Sequence, residues 1–264
     1  MMAIRKILIT AYSMRKVVAA IPIKSRYCCI CRNHMFGFLS FHVRWKKEPP
    51  LMSALGMIGS DVKQFSCPRC SCHDRERHLV LYLKELAIFD KIKGASILHF
   101  APEDHLPKII QECLPAQYVR CDLYPKSSEV EKIDMLDIPY KSESFDFVIA
   151  NHVLEHVADD LTALTELHRV MKVGGLAILQ TPYSSKIAST ISDPGVDSDL
   201  ARLQLYGQKD HVRLYGRDIF NRIESVGFDA EIAWHQDVLN YIDARFFGVN
   251  AAEPLFLFRR KALT

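Results

Sequence analysis

The sequence predicts a doubly wound α/β sheet of seven strands, preceded by a small cysteine-rich segment. Three observations carry this. From residue 95 onward, short apolar runs alternate with amphipathic segments, the pattern of parallel strands joined by crossover helices. Residues 145–183 write out one such unit in full: buried strand, polar turn, amphipathic helix, Gly-Gly break and second buried strand. Six of the eight cysteines fall before residue 75, which sets the front of the chain apart from the rest.

The elements follow in order. Residues 1–24 mix Ile4, Ile7, Leu8, Val17, Val18 and Ile21 with Arg5, Lys6, Arg15, Lys16 and Lys24, so they predict a basic amphipathic helix. It packs on the protein's own surface or lies against a membrane face. Charges interrupt its apolar run, which makes it a poor secretory signal. Residues 25–75 form the cysteine-rich unit, with Phe36, Phe38, Phe41 and Trp45 for a small core and a turn at Glu48-Pro49-Pro50. Leu79, Leu83 and Leu86 give a helix over 74–89 that leads into the main domain, residues 76–264. Strands are expected at 96–100, 117–122, 130–134, 145–150, 176–179, 230–234 and 255–258, with helices at 102–113 and 216–226 between them. In the central unit Asp159 and Asp160 cap a helix carried by Leu161, Leu164, Leu167, Val170 and Met171, and Gly174-Gly175 stops it. Residues 184–215 are too long for a plain connection and are expected to be an insertion over the substrate.

Charge divides the chain in the same place. Through Lys91 there are 16 Lys and Arg against 6 Asp and Glu, whereas the remainder has 18 against 25. The basic front part therefore has its own partner, packs on the acidic part, or is a solvated face. No run reaches the ~18 continuous apolar residues that a membrane span requires, and a cytoplasmic protein is expected. With no secretory signal, clustered cysteines favour a metal over disulfides. Cys28-x-x-Cys31 and Cys67-x-x-Cys70 are two knuckles whose thiolates can complete a structural zinc tetrahedron, with Cys29, Cys72 and His73 as possible substitutes. Cys113 and Cys121 read as small buried apolar residues.

The polar turn Asn151-His152-Val153-Leu154-Glu155-His156 sits where a parallel strand opens onto a ligand. Its wording resembles the class I S-adenosylmethionine (SAM)-dependent methyltransferases of the type 11-like subgroup with an N-terminal zinc knuckle. The resemblance covers residue 95 to the C-terminus and implies a Rossmann-like seven-stranded methyltransferase sheet. By that resemblance, the turn His99-Phe100-Ala101-Pro102-Glu103 holds the amino-acid part of SAM. Asp122 holds the ribose, Asp134 and Met135 flank the adenine, and Asn151 and His152 close over the methionyl part. Here His99 and Ala-Pro-Glu-Asp replace the usual acidic residue and glycine-rich turn, which suits a ligand without phosphate. The stretch 207–216, GQKDHVRLYG, resembles a subgroup signature and places Asp210, His211, Arg213 and Tyr215 in the insertion. His211 and His152 are the candidate bases, because imidazole has the right intrinsic pKa to take a proton from an attacking hydroxyl.

The resemblance implies methyl transfer from SAM to an oxygen or nitrogen of a small metabolite or glycan. Two other readings stay open: a ribosomal RNA methyltransferase whose basic zinc segment binds RNA, and a zinc-dependent binding module without catalysis.

Overall fold

The computed structural model describes residues 13–41 and 49–262; Trp45, Glu48 and the first half of the expected N-terminal helix lie outside them. Residues 13–19 are helical. The cysteine-rich unit opens with an antiparallel hairpin of β1 (Arg26–Cys28) and β2 (Asn33–Met35). A short helix, α1 (Pro50–Ala54), then leads into β3 (Met57–Ile58). Next come α2 (Asp74–Glu85) and α3 (Ile88–Ile92). The single helix expected over 74–89 breaks because Ala87 takes a left-handed conformation, φ 51°, which turns the chain so that Ile88 and Ile92 are buried beneath the sheet.

The main domain runs β4 (Ser96–Phe100), α4 (Leu106–Glu112), β5 (Gln117–Asp122), β6 (Glu131–Lys132), β7 (Phe145–Ala150), α5 (Asp160–Val170) and β8 (Met171–Ile178). It continues with β9 (Tyr183–Ser184), α6 (Asp199–Tyr206), α7 (Ile219–Glu224), β10 (Phe228–Ala230), α8 (His235–Val238), α9 (Ala244–Phe247) and β11 (Leu257–Arg260). Seven strands form one sheet in the order β10-β11-β8-β7-β4-β5-β6. The five from β8 to β6 are parallel and β11 is antiparallel to both its neighbours.

The pleat explains why both faces must be covered. Leu98, Val148, Ala177 and Phe258 point to one core, closed by Ala163, Leu164 and Leu167 of α5 and Ile219 and Ile223 of α7. Ile97, Ile149, Ile178 and Leu257 point to the other, closed by α2, α3 and α4. Successive strand residues alternate between layers. That is why these strands read as continuous apolar runs in the sequence.

Several boundaries differ from expectation for local reasons. Helix α5 ends at Val170 and strand β8 begins at Met171, so Gly174-Gly175 lies inside a strand instead of stopping the helix. A Cβ on Gly175 would stand 2.8 Å from the Lys172 carbonyl oxygen and 2.9 Å from that of Asp146. The glycines serve an irregularity where the β7–β8 register shifts between Phe145 and Phe147. Helix α4 starts at Leu106, not at 102, because residues 101–105 form the ligand-side turn, with Ala101 at φ 45°. Of 130–134 only Glu131–Lys132 pairs with β5. Helix α7 starts at Ile219, after Tyr215 and Leu214 have bridged Tyr183 and Ile191. Strand β10 lies at Phe228–Ala230, with Ala233 bridging Leu255 further on.

Candidate active site

Strand β4 is the topological switch point: β5 and β6 lie to one side of it, β7 and β8 to the other. Chain crossovers diverge there, so the carboxyl ends of β4 and β7 leave a crevice between their turns. A cavity of about 230 Å³ occupies this crevice. Its walls are Ala101, Glu103, Asn151, His152 and Gln180 from the sheet edge, Glu76, His78 and Tyr82 from α2, and Glu253 from the loop before β11.

The turn after β4 is braced from beneath. His99 is fully buried, its Nδ1 2.8 Å from the Tyr118 hydroxyl and its Nε2 3.0 Å from Glu103 Oε2. The carboxylate can only accept, so Nε2 carries the proton and Nδ1 accepts from Tyr118. Asn151 Nδ2 donates to Glu103 Oε1 at 2.8 Å. Burial pushes the Glu103 carboxyl up, but His99 and Asn151 outweigh it and hold the group below the ordinary carboxylate range. His99, Glu103 and Asn151 thus form one fixed array, with Asn151 Oδ1 left buried and without a partner.

His152 takes a left-handed backbone, φ 55°, and its N–H donates to the Gln180 carbonyl at 2.6 Å. This turns the ring to the cavity wall, where neither ring nitrogen has a hydrogen bond. Nδ1 lies 3.5 Å from Glu155 Oε1, in ion-pair range but not hydrogen-bonded. Glu155 is buried and accepts from Thr181 Oγ1 at 2.9 Å. Burial would raise its carboxyl, but His152, His211 and His156 hold it down, at about 2. Gln180 is pinned in turn: it donates to the Pro254 carbonyl and accepts from Phe256 N–H. Glu253 Oε1, on the opposite wall, is buried and unpartnered.

Asp122, Asp134 and Met135 stand on the same edge of the sheet, after β5 and β6, but outside the walls of this cavity. Asp122 accepts from Tyr124 N–H and Asp134 from Leu136 N–H, each shaping its own turn, and Met135 is buried.

His211 does not line the cavity. It is buried behind the turn, with Nδ1 3.1 Å from the Tyr206 carbonyl and the ring edge-on to His156 at 4.8 Å. Burial depresses its pKa. The 207–216 stretch, expected to cover substrate, instead clamps the polar turn. Arg213 donates to the carbonyls of Leu154 and Ala158, and the Tyr215 hydroxyl bonds Asp160. Asp160 also receives two bonds from Arg222. Sequence reasoning missed Glu155, Gln180 and Glu253. Glu155 lay in view inside the polar turn, whereas no local pattern marks Glu253.

The cysteine cluster differs from expectation by one ligand. Sulfurs of Cys28, Cys67, Cys70 and Cys72 lie within 4.8 Å of one another, so Cys72 takes the place expected for Cys31. Cys31 Sγ is 3.8 Å from that of Cys67 and stands at the rim. All eight cysteines are free thiols. The Cys28 sulfur is 3.4 Å from Cys72 and 3.9 Å from Cys70; a tetrahedral zinc with bonds near 2.3 Å sets sulfurs about 3.8 Å apart. The donor set therefore fits zinc. Ser71, at φ 66°, makes the tight turn that lets Cys67, Cys70 and Cys72 converge. Cys29 faces away and donates to the Arg77 carbonyl.

Residues 95–179 match a family model described as a methyltransferase domain. The match covers this segment alone, 85 of the 264 residues. The matched segment contains the sheet-edge residues from His99 to His152, while Gln180, His211, Glu253 and the cysteine cluster lie outside it. A demethylmenaquinone methyltransferase of Staphylococcus epidermidis is 38% identical over 58 residues, which is 20% of this chain and 24% of that one. The chain thus spans about a quarter of the length of that relative. Among solved structures, the YcgJ protein of Bacillus subtilis aligns over 71% of this chain and all of its own, with 14% identity and a TM-score of 0.47. An S-adenosylmethionine-dependent methyltransferase from Mesorhizobium loti aligns over 67% of this chain and 96% of its own, with 13% identity and a TM-score of 0.44.

Proposed function

We propose that this protein transfers a methyl group from SAM to an oxygen or nitrogen of a small metabolite or glycan. One observation carries the reading. Four buried polar atoms without partners, Asn151 Oδ1, both ring nitrogens of His152 and Glu253 Oε1, belong to residues that line one cavity at the switch point. Buried polar groups are almost always paired, so such a set calls for a polar ligand.

The chemistry of the walls fits SAM. Pro102 has no N–H, and Ala101-Pro102-Glu103 cannot form the amide cradle that a phosphate requires. Acceptor atoms on Asn151 and Glu103 suit an ammonium, and Asp122 and the Asp134-Met135 turn would flank the ribose and adenine along the same edge. When bound, SAM supplies an electrophilic methyl group on a sulfonium that leaves as a neutral thioether. The chain's own task is then to align an acceptor and take its proton. His152 is placed for this, since its ring faces the cavity and has a free lone pair. Glu253 on the opposite wall offers an acceptor to a hydroxyl or amine of the incoming substrate. Zinc, held by Cys28, Cys67, Cys70 and Cys72, would be structural, because four thiolates leave no open position.

Calorimetry of the purified protein with SAM is the test of the cofactor. Asn151→Ala and Glu103→Gln are each expected to weaken binding by about 10-fold or more, the loss of one charge-assisted hydrogen bond. No binding by the wild type would end the proposal. Labelled SAM incubated with fractionated cell extract then identifies the acceptor. Label is expected in small molecules or glycans; label in RNA, with binding that weakens steeply in salt, would replace this acceptor class.

A further inference from the structure

We propose that Glu155, His156 and His211 form a second metal site, for a first-row divalent cation, separate from the cysteine cluster. A carboxylate oxygen of Glu155 and a ring nitrogen of each histidine lie within 4.8 Å of one another. Ligands bound at 2.0–2.1 Å in a tetrahedron stand roughly 3.4 Å apart, so side-chain adjustments of about an ångström close the site.

The hydrogen bonds around the two rings leave them in the form that binds a metal. His211 Nδ1 lies 3.1 Å from the Tyr206 carbonyl and His156 Nδ1 lies 3.2 Å from the Asp210 carbonyl. A carbonyl only accepts, so both Nδ1 atoms carry a proton, and in the neutral ring it is Nε2 that offers the lone pair. A ligand histidine is held in this way, its second nitrogen donating to a backbone carbonyl. His211 Nε2 is moreover buried with no hydrogen-bond partner. It is an unused donor atom in the interior.

Charge points the same way. Glu155 is buried, and among the described residues the one side chain outside the site within ion-pair range of it is His152, at 3.5 Å. Arg213, although close in sequence to His211, spends its guanidinium on backbone carbonyls and Asp160. A buried carboxylate is costly without a countercharge, and a divalent ion supplies one. The site is reachable from one side, since one of its three ligands, His156, has a side chain 35% exposed. Two nitrogens and one oxygen are borderline donors suited to Zn²⁺, Co²⁺ or Ni²⁺. The fourth position is left to water. Such an ion would tie the turn after β7 to the end of the insertion and fix Glu155, which in turn faces His152 in the cavity.

The test uses the full chain loaded with Zn²⁺ and freed of excess metal by dialysis. X-ray absorption at the zinc edge is expected to show imidazole scattering beside sulfur. Metal analysis should show that His211→Ala and His156→Ala each lose one equivalent and retain the sulfur-bound one. Titrated with Co²⁺, both variants should keep the thiolate charge-transfer absorption while binding at the second site falls by about 100-fold or more, since even outer-shell changes cost 10–100-fold. The wild-type spectrum decides the matter even if a variant fails to fold. A shell of sulfur alone, or unchanged metal content in both folded variants, would overturn the site.

Discussion

His168 shows how a single buried ring leaves a trace on the whole stability curve. It sits on α5, 3% exposed, edge-on to Phe228 at 5.4 Å, with Nε2 unpartnered. Burial, and then the charge of Arg260, depress its pKa. In the unfolded chain the ring takes up a proton near pH 6.5, whereas the native state refuses it until lower pH. Below about pH 6.5 the unfolded state therefore binds more protons, and stability falls as pH falls, by up to about 1.4 kcal/mol per unit for one group. His168→Leu should flatten the profile of melting temperature against pH below about 6.5. Equal slopes in the two proteins would show that His168 titrates normally. The same scale is where sequence reading was weakest. The spacing of Cys28, Cys31, Cys67 and Cys70 looked complete, but a left-handed Ser71 brings Cys72 in and leaves Cys31 at the rim. His211 had the right chemistry for a base and was expected over the substrate, but its ring lies behind the polar turn and outside the cavity walls. Backbone sign and ring direction decide such matters, and neither is written in residue type.

At the scale of elements the sequence was far more legible, because period and length are set by burial on two faces. The strands Ser96–Phe100, Gln117–Asp122 and Phe145–Ala150 fall where their apolar runs predicted, and Asp159 caps α5 by accepting from Thr162 N–H. The failures lie where glycine serves a strand. Gly174 and Gly175 have the composition of a helix stop, but strand β8 runs through both. They also differ from each other in a way that can be measured. Gly174 has φ 79° and open space for a Cβ, whereas Gly175 has an ordinary φ but two backbone oxygens within 2.9 Å. Gly174→Ala should cost about 1 kcal/mol, the strain of a left-handed site. Gly175→Ala must move backbone and should cost about 2–3 kcal/mol, the upper part of the range for overpacking. Urea midpoints of the two variants give the comparison. The reverse order would mean that the irregularity between β7 and β8 yields more easily than its glycines imply.

Across the whole molecule, the cysteine unit and the sheet are joined by one buried cation. Arg77 of α2 is completely buried. Its guanidinium donates to the carbonyls of Cys72 and Gln64 on one side and of Phe247 and Gly248 on the other, and it approaches Cys72 Sγ at 3.7 Å. Phe38, from the cysteine unit, lies flat over it at 3.9 Å and fills the space that a Cβ on Gly248 would take. Four thiolates around a zinc carry a net double negative charge, and Arg77 stands beside one of them. Loss of the proposed zinc therefore should not be a local event. It would remove the charge that balances a buried guanidinium and loosen the carbonyl frame on both sides. Treatment with a strong chelator is expected to lower the melting temperature of the chain as one cooperative transition, read equally by far-ultraviolet circular dichroism and by fluorescence. Arg77→Met should cost about 3–5 kcal/mol, because it breaks a buried charged network and leaves four carbonyls without their donor. It should also raise the rate of metal release. If chelation instead produced a separate early transition that left the main one unmoved, the cysteine unit would be an independent module, and Arg77 a contact between two bodies rather than part of one.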